Sequence, residues 1–139
     1  MPLGREANRG RMRRFRRNTA VTFENALADR CGIPREQAKG LATELAHPSQ
    51  RCHYCGIRQA LIYRLNSEGH NLPGGHRMWR RLQIEHLRPL VRDQFITLAC
   101  YFCNNKKNNG RFKTDEQVRM EARRFWEVVL GKITIKWIS

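Results

Sequence analysis

Residues 52–56 read Cys-His-Tyr-Cys-Gly, and residues 98–104 read Leu-Ala-Cys-Tyr-Phe-Cys-Asn. Both stretches contain Cys-x2-Cys, a turn that places two thiolates on one edge of a tetrahedral metal site. Two such pairs complete a four-sulfur shell, so we predict a closed structural zinc site rather than four free or buried thiols. Gly56 suits this turn because a glycine adopts a positive φ without strain. The predicted zinc ligands are Cys52, Cys55, Cys100 and Cys103.

The two cysteine pairs are separated by 44 residues, more than in a common zinc finger. A whole substructure is therefore expected between the two turns. The fifth cysteine, Cys31, falls near the end of a predicted helix, where we interpret it as a small core residue.

The chain has 139 residues and suits one domain with a modest core. Lys and Arg number 27 against 12 Asp and Glu, which gives a formal net charge of +15. A charge of this size points to a polyanionic partner, with nucleic acid first and an anionic membrane surface second. The chain has no run of eighteen apolar residues, which excludes a bilayer span at the level of sequence.

Residues 1–18 contain seven Arg and one Glu, so we predict a flexible basic arm there. Two interpretations stay open, a solvated terminus and a tail that orders on phosphate groups. The arm lacks the apolar region of a signal peptide, although its composition also resembles that of a transit peptide. The cytoplasm, in a bacterial or phage setting and in association with the nucleoid, is the expected location.

Apolar spacing predicts one helix from Thr22 to about Gly32 and a second from Pro34 to about Ala46. Two short strands are predicted between the cysteine pairs, at residues 61–65 and 82–86, with a turn at residues 73–75. Thr114 and Gln117 form a capping signature for a helix to about residue 130. Residues 132–138 alternate between apolar and polar side chains and predict a short edge strand.

Residues 84–90 read Ile-Glu-His-Leu-Arg-Pro-Leu and carry a carboxylate beside an imidazole. Carboxylate and amide oxygens suit Mg²⁺ or Mn²⁺, and a neutral imidazole can take a proton from water near pH 7. Neighbouring strand residues face opposite sides, so Glu85 and His86 serve one site only if the strand ends or bends there. Pro89, which cannot donate to a ladder, favours such an ending.

These motifs, taken in order, resemble the HNH endonucleases of the four-cysteine zinc subtype over about residues 50–110. The resemblance implies an α+β fold with a small zinc-stabilised ββα-metal core, similar to a treble clef. N-terminal helices and a C-terminal helix with a short strand would flank this core. It also implies a single nuclease domain over residues 19–139, with its motif core at about 50–113, that hydrolyses DNA phosphodiester bonds.

Carried over residue by residue, the resemblance implies that His86 is the general base that activates water. It implies that Glu85, at a position more often occupied by Asp, and Asn104 bind one catalytic divalent cation, Mg²⁺ or Mn²⁺. Lys107 matches a basic residue that commonly follows the final ligand. The middle Asn of the family motif would fall near Phe95, so this chain departs from the pattern at that point.

The partner predicted for this nuclease is DNA, with RNA left open, no membrane, and a homodimer as a further option. Two other classes stay open, a non-catalytic zinc module that binds nucleic acid and a basic subunit of a ribonucleoprotein. The residues predicted to contact nucleic acid are Arg13, Arg14, Arg16, Arg17, Arg88, Lys106, Lys107, Arg111 and Lys113.

Overall fold

The protein is mainly helical and carries one small antiparallel sheet. The structure, a computed structural model, describes residues 5–86, 96–109 and 114–138. The helices are α1 (Arg5–Asp29), α2 (Arg35–Leu45), α3 (Gln59–Ser67), α4 (Tyr101–Asn109) and α5 (Asp115–Ile138), with a 3₁₀ helix at His76–Trp79. The strands are β1 (Gln83–His86) and β2 (Ile96–Ala99).

The first helix corrects the prediction of a flexible basic arm. α1 begins at Arg5 and includes residues 5–18 of the predicted arm without interruption, while residues 1–4 lie outside the described part of the chain. Phe15, Thr19 and Phe23 are spaced four residues apart and are all buried, so they form one row on the inner face of α1. The ring of Phe15 lies 4.5 Å from the ring of Tyr63 on α3. The basic residues therefore belong to an amphipathic helix whose inner face is part of the core.

Two predicted strands are also helical. Residues 61–65 lie in α3, where Ile62 and Leu65 are fully buried at a helical spacing of three. Residues 132–138 continue α5 to Ile138 without a break. The alternation of Ile133 and Ile135 with polar residues suggested a strand, but Ile133 and Trp137 are also four residues apart and fit a helix equally well.

Other sequence predictions are confirmed. α2 lies within the predicted second helix, and β1 covers most of the predicted strand at residues 82–86. The backbone N–H of Thr114 donates to Gln117 Oε1 over 2.8 Å, while the N–H of Gln117 donates to Thr114 Oγ1 over 3.2 Å. This reciprocal pair satisfies two donors at the start of α5, as the capping signature predicted. At the predicted turn, Gly74 has φ +88°, and a Cβ there would overlap the Tyr101 ring.

An aromatic part of the core lies where α4 and α5 meet the 3₁₀ helix. Trp79 is buried and packs edge-on against Tyr101 and Trp126, with Phe125 stacked alongside. The indole N–H of Trp79 donates to the carbonyl of Pro73 over 2.6 Å, so its polar atom is satisfied. This cluster fixes the start of α4 in position, and the second cysteine pair lies there, with Cys100 just before α4 and Cys103 in its first turn.

Candidate metal centre and neighbouring polar residues

The four predicted zinc ligands converge at one point. The Sγ atoms of the two cysteine pairs all lie within 4.8 Å of one another, and those of Cys55 and Cys100 are 3.8 Å apart. A tetrahedron with zinc–sulfur bonds of about 2.3 Å has edges of about 3.8 Å, so the separation fits a single zinc ion. Three of the four side chains are buried and Cys55 is half-buried. The thiols form a potential zinc site that is closed to other ligands.

Local backbone geometry accounts for the convergence. In the first turn the N–H of Gly56 donates to the carbonyl of Cys52 over 3.0 Å, and Gly56 has the predicted positive φ of +76°. In the second, Cys100 directly precedes α4 and Cys103 lies in its first turn. The N–H of His53 donates to the carbonyl of Leu98 on β2 over 2.8 Å, which ties the first turn to the sheet.

The electrostatics of the four thiols also favour a cation. Thiols of Cys100, Cys103 and Cys55 hydrogen-bond to Cys52 and hold its pKa far below the ordinary value. The pKa of Cys103 is raised, first by Cys100 and then by Cys52 and Cys55. Four negative charges at this spacing repel strongly, and a divalent cation removes that penalty because it binds thiolates directly.

Glu85 lies beside this centre and is 7% exposed. The hydroxyl of Tyr54 donates to its Oε1 over 2.8 Å. Its Oε2 is buried and has no hydrogen-bond partner within the part of the chain that the structure describes. Burial raises the pKa of Glu85, although the Tyr54 hydrogen bond acts in the opposite direction. A hard cation can satisfy an orphan carboxylate oxygen of this kind, so the donor set at Glu85 fits a divalent ion.

Asn104 follows the second cysteine pair on α4. Its Nδ2 donates to Oε1 of Gln83 over 2.8 Å, which joins α4 to β1. Gln83 and Glu85 are two residues apart on a strand, so both point to the same face of the sheet. The structure thus brings Asn104 to the side of β1 that carries Glu85. For His86 the backbone is described, and it pairs with Ile96 as the last residue of β1.

The predicted phosphate contacts are dispersed. Lys107 donates to Asp115 over 2.9 Å, and the ammonium of Lys106 lies 5.5 Å from the centre of the Phe102 ring. Within residues 1–18, the four arginines predicted to contact nucleic acid are exposed on α1. One of them, Arg14, lines a cavity described below. Predicted contacts outside the described residues are Arg88, Arg111 and Lys113.

Sequence reasoning missed three polar residues that build the site. Gln59 is fully buried, donates to the carbonyls of Leu45 and His47, and accepts the N–H of Leu82 just before β1. Arg119 donates to the carbonyl of Tyr54 over 2.8 Å and connects α5 to the first cysteine turn. Gln83 is the third, through its bond to Asn104. Each contact joins distant segments, so no local spacing in the sequence indicates it.

We compared the chain with known protein families, curated proteins and solved structures. No family model, no curated protein and no solved structure matches the chain. Among the helices that the structure describes, none combines the length and apolar character needed to cross a bilayer.

Proposed function

We propose that the protein is a zinc-stabilised, metal-dependent endonuclease that hydrolyses DNA phosphodiester bonds. The observation that carries this proposal is the strand–strand–helix unit β1–β2–α4 beside the four thiols, with Glu85 on β1 and Asn104 on α4 joined through Gln83. Gln83 and Glu85 alternate to the same face of β1, so the contact with Gln83 supports an Asn104 amide on the side of the strand that would present the Glu85 carboxylate. The arrangement agrees with the HNH resemblance in the sequence.

Each residue of the proposed site has a separate role in the reaction. His86 takes a proton from the attacking water, as a neutral imidazole can. Glu85 and Asn104 hold Mg²⁺ or Mn²⁺, which supplies charge stabilisation to the phosphate and the leaving 3′-oxygen when it is bound. The unpartnered Oε2 of Glu85 supports the fit of this ion. The zinc site is closed by four sulfurs and stabilises the fold without taking part in the reaction.

A second candidate function is a non-catalytic zinc module that binds nucleic acid. The observation that favours it is the burial of Glu85 under the Tyr54 hydroxyl. A buried carboxylate held by a hydrogen bond can be a purely structural group, and Lys107 is similarly engaged by Asp115. This candidate predicts nucleic-acid binding with no cleavage stimulated by a divalent ion.

A plasmid-nicking assay separates the two functions. Supercoiled DNA is incubated with the full chain and Mg²⁺ or Mn²⁺, with EDTA and the His86→Ala variant as controls. We expect conversion to nicked circles that requires the metal and is lost in the variant, while the variant still binds DNA. Binding without metal-stimulated cleavage would favour the second candidate, and cleavage by the variant would remove His86 from its role.

A further inference from the structure

Two cavities lie along α1, on the side that faces the 3₁₀ helix and the start of β1. The first has a volume of about 270 Å³ and is lined by residues of α1, α3 and the segment just before β1. The second, of about 260 Å³, is lined by the later part of α1, by the same segment before β1, and by Gln83 and Asn104. Arg80 and Arg81 line both, so the cavities adjoin and form one continuous groove.

The groove is strongly basic. None of the described residues that line the two cavities is acidic. Five of its arginines are exposed, and no salt bridge among the described residues neutralises any of the six. We call it the arginine groove, and its cationic residues are Arg11, Arg14, Arg30, Arg77, Arg80 and Arg81.

Arg81 shows that the positive charge is uncompensated. Its side chain is half-buried, and one terminal nitrogen donates to Thr22 on α1 over 3.1 Å. Its Nε is buried without a hydrogen-bond partner in the described part of the chain. Burial and the neighbouring charge of Arg80 both lower the pKa of Arg81. An unsatisfied, partly desolvated guanidinium beside a second one is an arrangement that an anionic oxygen stabilises.

The length of the groove suits a polymer better than a small anion. Arg11, Arg14, Asn18, Thr22 and Ala26 are spaced three or four residues apart and follow one side of α1. From Arg11 to the end of the helix at Asp29 this side measures about 27 Å, because each residue of an α-helix rises about 1.5 Å. That length corresponds to roughly eight base-pair steps of duplex DNA, each of which adds two phosphate charges.

We propose that the arginine groove binds the phosphate backbone of duplex DNA and guides it to Asn104, which lines the second cavity. This inference deepens the proposed function and rests on it for the identity of the polyanion. It adds a path for the substrate that involves four arginines outside the predicted basic arm, Arg30, Arg77, Arg80 and Arg81. Contacts of this kind position the duplex without reading its sequence.

The test compares two pairs of substitutions that each remove two positive charges. The groove variant carries Arg11→Gln and Arg80→Gln. The control variant carries Lys39→Gln and Arg58→Gln, two exposed residues that line neither cavity. Binding of a fluorescein-labelled 20-base-pair duplex is measured by anisotropy, on the full chain without added Mg²⁺ or Mn²⁺, over a series of salt concentrations. Circular dichroism and zinc content confirm that both variants are folded.

We expect the groove variant to bind about 10- to 60-fold more weakly than the wild type at 0.1 M salt, while the control variant changes less than about threefold. The slope of log K against log salt concentration should become shallower by about 1.8 in the groove variant, because each lost phosphate contact removes about 0.9. Equal losses in affinity and slope for the two variants would overturn the proposal that the groove binds DNA. A wild type that binds no duplex would overturn it as well.

Single variants test whether the two cavities act together. Arg11→Gln changes the first cavity alone and Arg77→Gln the second, and a continuous groove predicts a slope change of about 0.9 for each. An effect confined to one of them would overturn the continuous path. A nicking assay on the same proteins keeps the two proposals apart. If the wild type binds through the groove but cleaves no DNA, the endonuclease fails and the groove stands. If the wild type cleaves DNA and the groove variant binds and cleaves it normally, the groove fails and the endonuclease stands.

Discussion

The hydroxyl of Tyr54 donates a 2.8 Å hydrogen bond to the carboxylate of Glu85, although 31 residues separate them. Tyr54 lies between the two cysteines of the first turn, and Glu85 lies on β1. Both side chains are buried, so the bond connects the potential zinc site to the strand that carries the candidate catalytic residues. Burial and the contact with Glu85 together raise the pKa of Tyr54, which keeps it protonated as the donor.

Removal of this donor should destabilise the protein. In Tyr54→Phe, the buried carboxylate of Glu85 loses its one described hydrogen bond, at an expected cost of about 1–3 kcal/mol in the free energy of unfolding. Urea denaturation followed by circular dichroism measures the change. The matched control is Tyr63→Phe, since the Tyr63 hydroxyl makes no hydrogen bond that the structure describes, and we expect that variant to change stability by less than about 0.5 kcal/mol. Equal losses in the two variants would show that the Tyr54–Glu85 bond contributes nothing specific.

Zinc should be an integral part of the folded chain. We expect one zinc ion per chain by inductively coupled plasma mass spectrometry, and loss of both zinc and cooperative unfolding in Cys103→Ser. The reason is that a four-thiolate site exists only when both turns are folded, so the binding free energy adds directly to the stability of the fold. Cys31→Ala is the control, because Cys31 is buried in the core and is not one of the four clustered thiols. Zinc retained by Cys103→Ser at wild-type affinity would contradict the assignment.

The sequence predicts those parts of the structure that depend on residues close together along the chain. The cysteine pairs, the Thr114–Gln117 cap and the glycine of the first turn are local motifs. The convergence of the four thiols, the cap and the positive φ of Gly56 are confirmed. Where two periodicities fitted the same residues, as at Ile133 and Trp137, the sequence could not distinguish a strand from the end of α5. In such segments, packing and the continuation of a helix that has already formed decide between helix and strand.

In the candidate site, too, local motifs are predictable from the sequence and long-range contacts are not. The four thiols and the order of Glu85, His86 and Asn104 follow from spacing along the chain. The residues that hold them in place do not, because Gln83 and Gln59 act through contacts over 12 to 23 residues. The arginine groove collects cations from α1 and from the segment before β1, and only the folded chain brings these two segments together.

The ion pair between Lys107 and Asp115 makes a pH-dependent contribution to stability. The hydrogen bond from Lys107 lowers the pKa of Asp115 below its ordinary value of 3.8. Because the folded-state pKa is depressed, the ionised carboxylate stabilises the fold above pH 3.8, and this stabilisation is lost as pH falls through the lower pKa of the folded state. The pair is partly exposed, so the contribution should stay below about 1 kcal/mol.

The measurement is the difference in thermal midpoint between the wild type and Asp115→Asn from pH 6 to pH 3. The difference is used because acid also releases zinc from thiolates in both proteins. We expect the wild type to be more stable by a degree or two at pH 6 and the two proteins to converge at the acidic end. In a Lys107→Gln background most of the difference should vanish. A difference that is independent of both pH and Lys107 would assign the effect to the start of α5 instead.

Gln83 should act as a positioning residue for Asn104. Its Oε1 accepts a hydrogen bond from Nδ2 of Asn104, which fixes the orientation of the Asn104 amide and with it the direction of the amide oxygen. If Asn104 binds the catalytic cation, Gln83→Leu releases this orientation and should raise the Mg²⁺ concentration for half-maximal DNA cleavage by about 10- to 100-fold. DNA binding without added metal should change little by comparison.

A conservative variant separates positioning from a general loss of stability. Gln83→Glu keeps an acceptor at the same place, so it should recover most of the Mg²⁺ affinity lost in Gln83→Leu, whereas a half-buried charge would not repair a purely structural defect. Gln50→Leu provides a distant control, because Gln50 is half-buried and donates to the carbonyl of Glu44 rather than to a site residue. Unchanged Mg²⁺ dependence in Gln83→Leu, with cleavage reduced only in proportion to folded protein, would show that the orientation of Asn104 does not limit the binding of the cation.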